Sequence, residues 1–145
     1  MSGRRWIVAA AVVAAIAALA YLRNPPWIED VTSGMKPWDR DEYGVLYRWT
    51  EGHASFYIPS NVQTMTVPMR SAVASEDHSP VKVELRQDGA LLGIVELPTV
   101  TEWVKPTLTL RPSRSRRPFQ RIDLRVSRTF PPWSFGVMTG TVSFR

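Results

Sequence analysis

Val81-Lys82-Val83-Glu84-Leu85-Arg86-Gln87-Asp88-Gly89-Ala90-Leu91-Leu92-Gly93-Ile94-Val95-Glu96-Leu97 is the stretch that decides the fold. Val81, Val83 and Leu85 alternate with Lys82, Glu84 and Arg86, the period-two pattern of a strand with one face in a core. Gln87-Asp88-Gly89-Ala90 supplies a hairpin turn, and Leu91–Leu97 returns beside the first strand.

Outward from this hairpin the same period recurs. Downstream, Leu108 and Leu110 mark a strand after Trp103. Ile122, Leu124 and Val126 alternate with Arg121, Asp123, Arg125 and Ser127, and Val137–Phe144 closes the chain. Upstream, Met65, Val67 and Met69 alternate with threonines and Pro68. Ala54, Phe56 and Ile58 share a face, and Val45–Thr50 forms a strand ended by Glu51-Gly52. These are seven or eight short strands at roughly ten-residue spacing with no amphipathic helix between them. The expected fold class is all-β, an antiparallel β-sandwich of jelly-roll type. Prolines near several strand ends suit sandwich edges better than a closed barrel.

Ahead of the strands stands a different kind of sequence. Trp6–Leu22, WIVAAAVVAAIAALAYL, carries no charge and no helix breaker, with Arg4 and Arg5 before it and Arg23 after it. Its length is near that of a membrane-spanning helix. Two readings stand side by side: a retained anchor with Trp6 and Tyr21 at the interfaces, or a signal cut after Ala18-Leu19-Ala20. Both place the N-terminus in the cytoplasm and the domain outside, because the positive charges precede the segment. Asn24-Pro25-Pro26-Trp27 then stiffens the exit. The domain plan is therefore a signal-anchor or transmembrane helix at 1–23, a Pro/Trp-containing juxtamembrane segment at 24–43, and the sandwich at 44–145.

Twelve prolines and six tryptophans load the 145 residues, and there is no cysteine, which excludes disulfides, thiolate metal sites and a cysteine nucleophile. The net charge of +5 hides an asymmetry. Arg111–Arg128 holds seven arginines against Asp123, whereas residues 29–110 hold twelve carboxylates against seven Lys and Arg. A loop of arginines without interleaved aromatics does not read as a nucleic-acid surface.

The candidate ligand residues are Tyr47, Arg48, Trp49, Trp103, Arg121, Arg125 and Trp133. In a strand Tyr47 and Trp49 share one face and Arg48 and Thr50 the other. Exposed aromatics beside a guanidinium make a platform for a pyranose ring, with Arg binding hydroxyls or an acidic group. The plainer reading makes Trp49 a core tryptophan. Arg121 and Arg125 flank Asp123 on one face and can pair with it. Arg114, Arg116 and Arg117 form a loop that docks on anionic headgroups, together with Trp27, or binds phosphate or uronate, or is simply solvated. His53, beside Glu51 in a turn, and His78, beside Glu76-Asp77, form no metal motif. Asp39-Arg40-Asp41-Glu42 and Glu76-Asp77 read as surface loops, with calcium as the sharper alternative. No catalytic residue, cofactor or metal site is expected, and no nucleophile, phosphate-loop or dinucleotide motif is present.

Pro25-Pro26-Trp27, Gly34, Pro37-Trp38, Gly44, Tyr47-Arg48-Trp49-Thr50, Ala54-Ser55-Phe56 and Pro59 resemble the pattern of a set of bacterial membrane-anchored domains of unassigned role. Arg121-Ile122-Asp123-Leu124-Arg125-Val126-Ser127-Arg128-Thr129-Phe130, with Pro132, is similar to their closing strands. Related sandwich modules are appended to envelope glycosyltransferases and resemble carbohydrate-binding jelly rolls. The resemblance implies a β-sandwich on the outer, periplasmic side of a bacterial inner membrane and carries no catalytic residues. The expected function is a non-enzymatic, membrane-tethered binder of envelope glycan or glycolipid. The alternative is an assembly subunit that packs on a membrane-protein partner.

Overall fold

A computed structural model describes residues 2–23, 25, 27–71, 79–98, 102–113 and 117–145. The first element is a helix, α1 (Ser2–Arg23), long and apolar enough over Arg5–Arg23 to cross a membrane, with none of that stretch buried. A single-turn 3₁₀ helix (Ile28–Asp30) follows, tied by Ile28 N–H to the Pro25 carbonyl at 3.1 Å. Trp27 Nε1 donates to the Tyr21 hydroxyl at 2.9 Å, which fastens the exit segment to the end of α1.

The strands are β1 (Thr32–Met35), β2 (Asp39–Arg40), β3 (Leu46–Pro59), β4 (Thr64–Thr66), β5 (Met69–Ser71) and β6 (Val81–Gln87). They continue with β7 (Ala90–Leu97), β8 (Thr107–Thr109), β9 (Phe119–Val126), β10 (Val137–Gly140) and β11 (Ser143–Phe144). All pairings among these strands are antiparallel, and the protein is an antiparallel β-sandwich preceded by one apolar helix. Strand order β5-β10-β3-β9-β6-β7 makes the large sheet, with β1 and β2 also on β3, and β11-β4-β8 makes the small one.

The eleven strands among the described residues exceed the expected seven or eight, and the differences have local causes. Glu51-Gly52 is not a turn: β3 runs fourteen residues straight through it. Gly52 allows a close approach there, since a Cβ would lie 3.1 Å from the Thr129 methyl. Before Gly52, β3 pairs with β10 (Trp49 with Met138); after it, β3 pairs with β9 (Ala54 with Leu124). His53 accordingly lies in a strand rather than a turn. The loop expected over 28–43 contains β1 and β2, so sheet pairing begins at Thr32. The closing stretch divides into β10 and β11, which belong to different sheets.

The β6–β7 hairpin forms as its sequence requires. Asp88 and Gly89 both have positive φ, 46° and 84°, the pair of values a two-residue type I′ turn needs. Asp88 also accepts the Arg121 N–H at its Oδ1, 2.9 Å, so the turn caps the start of β9. In β6, Val81, Val83 and Leu85 are buried between more exposed Lys82, Glu84 and Arg86.

These side chains join Ala54, Phe56, Ile58, Met69, Ile122, Leu124 and Val137 of the same large sheet, and Met65 and Val67 from β4 and the residue following it, in a single apolar interior. At its rim Gln87 and Gln120 form a buried amide network. Gln87 Nε2 donates to Gln120 Oε1 at 2.6 Å and to the Arg111 carbonyl, and Gln120 Nε2 donates to the Pro59 carbonyl. Each buried amide group thus has a partner, without which it would cost about 1–3 kcal/mol.

Candidate functional site

The connection Lys36-Pro37-Trp38 is short because its two flanking strands dock on neighbouring parts of β3, Met35 opposite Thr50 and Asp39 opposite Tyr47. Lys36 N–H donates to the Trp49 carbonyl at 2.8 Å. Trp38 is thereby held over Arg48, whose guanidinium carbon lies 4.9 Å from the indole centroid, a cation–π distance. Arg48 Nε donates to the Lys36 carbonyl (3.2 Å) and Nη2 to Thr32 Oγ1 (3.0 Å).

Beside this pair opens a cleft of about 280 Å³. Asp30, Thr32, Trp38 and Arg48 line one part of it, Thr139, Thr141 and Phe144 another, and Phe56 and Ile58 lie against the core side. Trp38 is 49% exposed and Phe144 41%. A half-exposed indole, a second aromatic, threonine hydroxyls, a carboxylate and a guanidinium form a set suited to stacking a sugar ring and bonding its hydroxyls.

The sequence-chosen residues fall into several places. Arg48 lines the cleft. Tyr47 is buried, and its hydroxyl donates to Asp39 Oδ2 at 3.2 Å. Burial, reinforced by Asp39, holds the Tyr47 phenol above its ordinary value of 10.0. Trp49 is half-buried and stacks on Phe135 at 4.6 Å, with Tyr47 edge-on at 6.0 Å, so these rings meet protein aromatics. Trp103 is half-buried beneath the Arg70 guanidinium at 5.1 Å.

Arg121 and Arg125 are exposed on β9. Arg121 Nε donates to Asp123 Oδ1 at 2.8 Å, and the same oxygen is 3.3 Å from His53 Nε2. Trp133 is 70% exposed in the turn before β10. None of Trp103, Arg121, Arg125 and Trp133 lines the cleft. Of the membrane-surface candidates, Trp27 and Arg117 are exposed, whereas Arg114 and Arg116 lie outside the described residues, as do Glu76, Asp77 and His78.

In the acidic hairpin, Asp41 Oδ1 accepts Tyr43 and Val45 N–H groups and Asp39 Oδ1 accepts Arg40 N–H, which makes these carboxylates turn caps. Among the described residues no cluster of metal-ligating side chains occurs. Trp38 was the residue that sequence reasoning passed over. Its one signal was the Pro37-Trp38 pair in a short, charged connection, and only the docking of β1 and β2 on β3 shows what it faces.

No protein-family model and no curated protein matches this sequence. Solved structures do match it. A β-1,3-glucan-binding family 6 carbohydrate-binding module from Bacillus halodurans is similar at a TM-score of 0.51 and 16% identity, over 81% of this chain and 90% of that one. The fold is that of these sandwich modules. A family 35 module from an environmental isolate (TM-score 0.49, 13% identity, 81% and 90% covered) and another family 6 module (0.48, 12%, 79% and 85%) are similar at a lower level.

Proposed function

We propose that this chain is a non-enzymatic, membrane-tethered β-sandwich that binds envelope glycan or glycolipid on the outer side of a bacterial inner membrane. The observation that carries the reading is the cleft in which half-exposed Trp38, Arg48 and threonine hydroxyls converge. Likeness in fold to a β-1,3-glucan-binding module supports the class of ligand.

The helix α1 supports the tether, and the path from it to the cleft is short. Asp30 lies seven residues beyond Arg23. Even fully extended, those residues reach only about 25 Å. A binder held that close to a membrane meets its ligand at high effective concentration, so shallow, weak recognition suffices. The cleft takes a sugar ring against Trp38, its hydroxyls on Thr141 and Asp30, and Arg48 at one end.

Full-length protein in detergent micelles is expected to be retained on envelope polysaccharides or glycolipids. Trp38→Ala is expected to weaken that binding about tenfold or more, since an aromatic stack contributes on the order of 1 kcal/mol beyond buried area. Absence of retention on every such glycan would overturn the reading. Alkaline carbonate washing of membranes tests the tether, which predicts that the domain stays with the membrane fraction and is not released.

A second reading rests on aromatics that lie away from the cleft. Trp133 at 70% and Tyr43 at 81% exposure are surfaces for a membrane-protein partner. One stoichiometric crosslinked partner, without glycan retention, would favour that assembly role.

A further inference from the structure

The cleft contains a cation with no ion-pair partner among the described residues. Arg48 is half-buried, and its contacts are the Lys36 carbonyl, the Thr32 hydroxyl and the Trp38 indole, all of them uncharged. Among the described residues no carboxylate forms an ion pair with it. Glu51, the acid nearest in sequence, is bound by Lys36 Nζ at 2.7 Å. Asp30 lines the same cleft without pairing. Burial lowers the Arg48 pKa, with no neighbouring negative charge to raise it again.

Removing a guanidinium from water is costly unless a counter-charge accompanies it, and arginines withdrawn from solvent are ordinarily paired. One donor of the group is also left over. Nε and Nη2 are engaged, whereas Nη1 has no hydrogen-bond partner among the described residues. Two hydrogen bonds and the indole fix the plane of the group, so little rotamer entropy remains to be lost when an oxyanion meets it.

We infer that the Arg48 end of the cleft takes the oxyanion of an acidic saccharide, a uronate carboxylate or a sugar-borne phosphate, on Nη1, with the ring against Trp38. This rests on the reading of the cleft as a glycan site and narrows it to anionic ligands. A neutral glycan would leave the charge unsatisfied. A purely structural Arg48, clamping β1 and the Trp38 connection to β3, would confer no preference among ligands by charge.

The test titrates full-length protein in nanodiscs of zwitterionic lipid with matched oligosaccharides: a uronate form, its carboxyl-reduced counterpart, and a phosphorylated form. A lipid-linked uronate or phosphate placed in the nanodisc distinguishes a membrane-borne ligand from a free one. The acidic forms are expected to bind about tenfold tighter than the reduced form, the size of one charge-assisted hydrogen bond. That advantage should shrink as NaCl rises from about 50 to about 500 mM.

Arg48→Gln should erase the acidic preference, so that the acidic and reduced forms bind alike whatever affinity remains. Thr32→Val, which frees Nη2 but keeps the charge, should diminish the preference in part. Equal binding of acidic and reduced forms by the wild-type chain overturns the inference and leaves the glycan reading standing. A preference that survives in folded Arg48→Gln does the same. Failure of every saccharide to bind overturns both. Should Arg48→Gln not fold, the wild-type comparison and Thr32→Val still decide.

Discussion

Gly34→Ala is expected to lower the melting temperature of the full chain by about 10 °C, through a loss of about 3 kcal/mol or more. Gly34 sits at φ +63° in the irregularity between Ser33 and Met35, where β1 changes register against β3. A Cβ built there would lie 2.0 Å from the His53 carbonyl oxygen, 3.0 Å from its carbon and 3.1 Å from Ala54 Cα. All three are backbone atoms of a strand paired on its other side with β9, so they cannot yield. Relief comes only if β1 lifts away.

That movement would withdraw Thr32 from Arg48 and displace Asp30, so glycan binding should fall together with stability. Circular-dichroism melts and a glycan titration on the same preparation check both effects. A variant that melts with the wild type would show that β1 does not dock as described.

The second large effect is in the core. Leu124→Ala should cost about 2–5 kcal/mol, the range for a buried leucine that leaves a cavity, against total stabilities of about 5–15 kcal/mol. Leu124 is fully buried on β9, opposite Ala54 of β3 on one side and Leu85 of β6 on the other. No loop can fold inward to fill the space between three paired strands.

One residue along, Arg125 is exposed, and Arg125→Ala should stay within about 0.5 kcal/mol. Thermal unfolding of both variants, as full chains in mild detergent, measures the contrast. Similar costs at the two positions would contradict the strand alternation assigned to β9.

What could be read in advance were the features encoded within a few residues. The β6–β7 hairpin follows from Asp88-Gly89 and its flanking alternation, and β9 from Ile122 and Leu124 between charged neighbours. The pairing of Arg121 with Asp123 follows from their i, i+2 spacing on one strand face. The features that escaped depend on distant segments. Gly52 reads locally as a turn residue, but it is a strand glycine that admits Thr129, seventy-seven residues further on.

Trp49 offered a sugar platform or a packed aromatic, and Phe135, far along the chain, supplies its stacking partner. The cleft was illegible for the same reason. Its walls come from the exit of α1, β1, both halves of β3, and the final residues from Thr139 to Phe144. No window of sequence places Trp38 over Arg48; the docking of β1 and β2 on either side of Lys36-Pro37-Trp38 does.

The continuity of β3 through Glu51-Gly52 has a mechanical side. Strand pairs joined only by a loop can slide past one another. Here the β10 side and the β9 side of the large sheet share one strand, so they can slide only if ladder bonds break on both sides of Gly52. The cleft takes Arg48 from one half of that strand and Phe56 from the other, so the spacing between these two is fixed along a single extended segment. That wall of the groove is built by the fold itself. Little ordering remains to be done when a ligand arrives, and a small contact area retains more of its interaction energy as affinity.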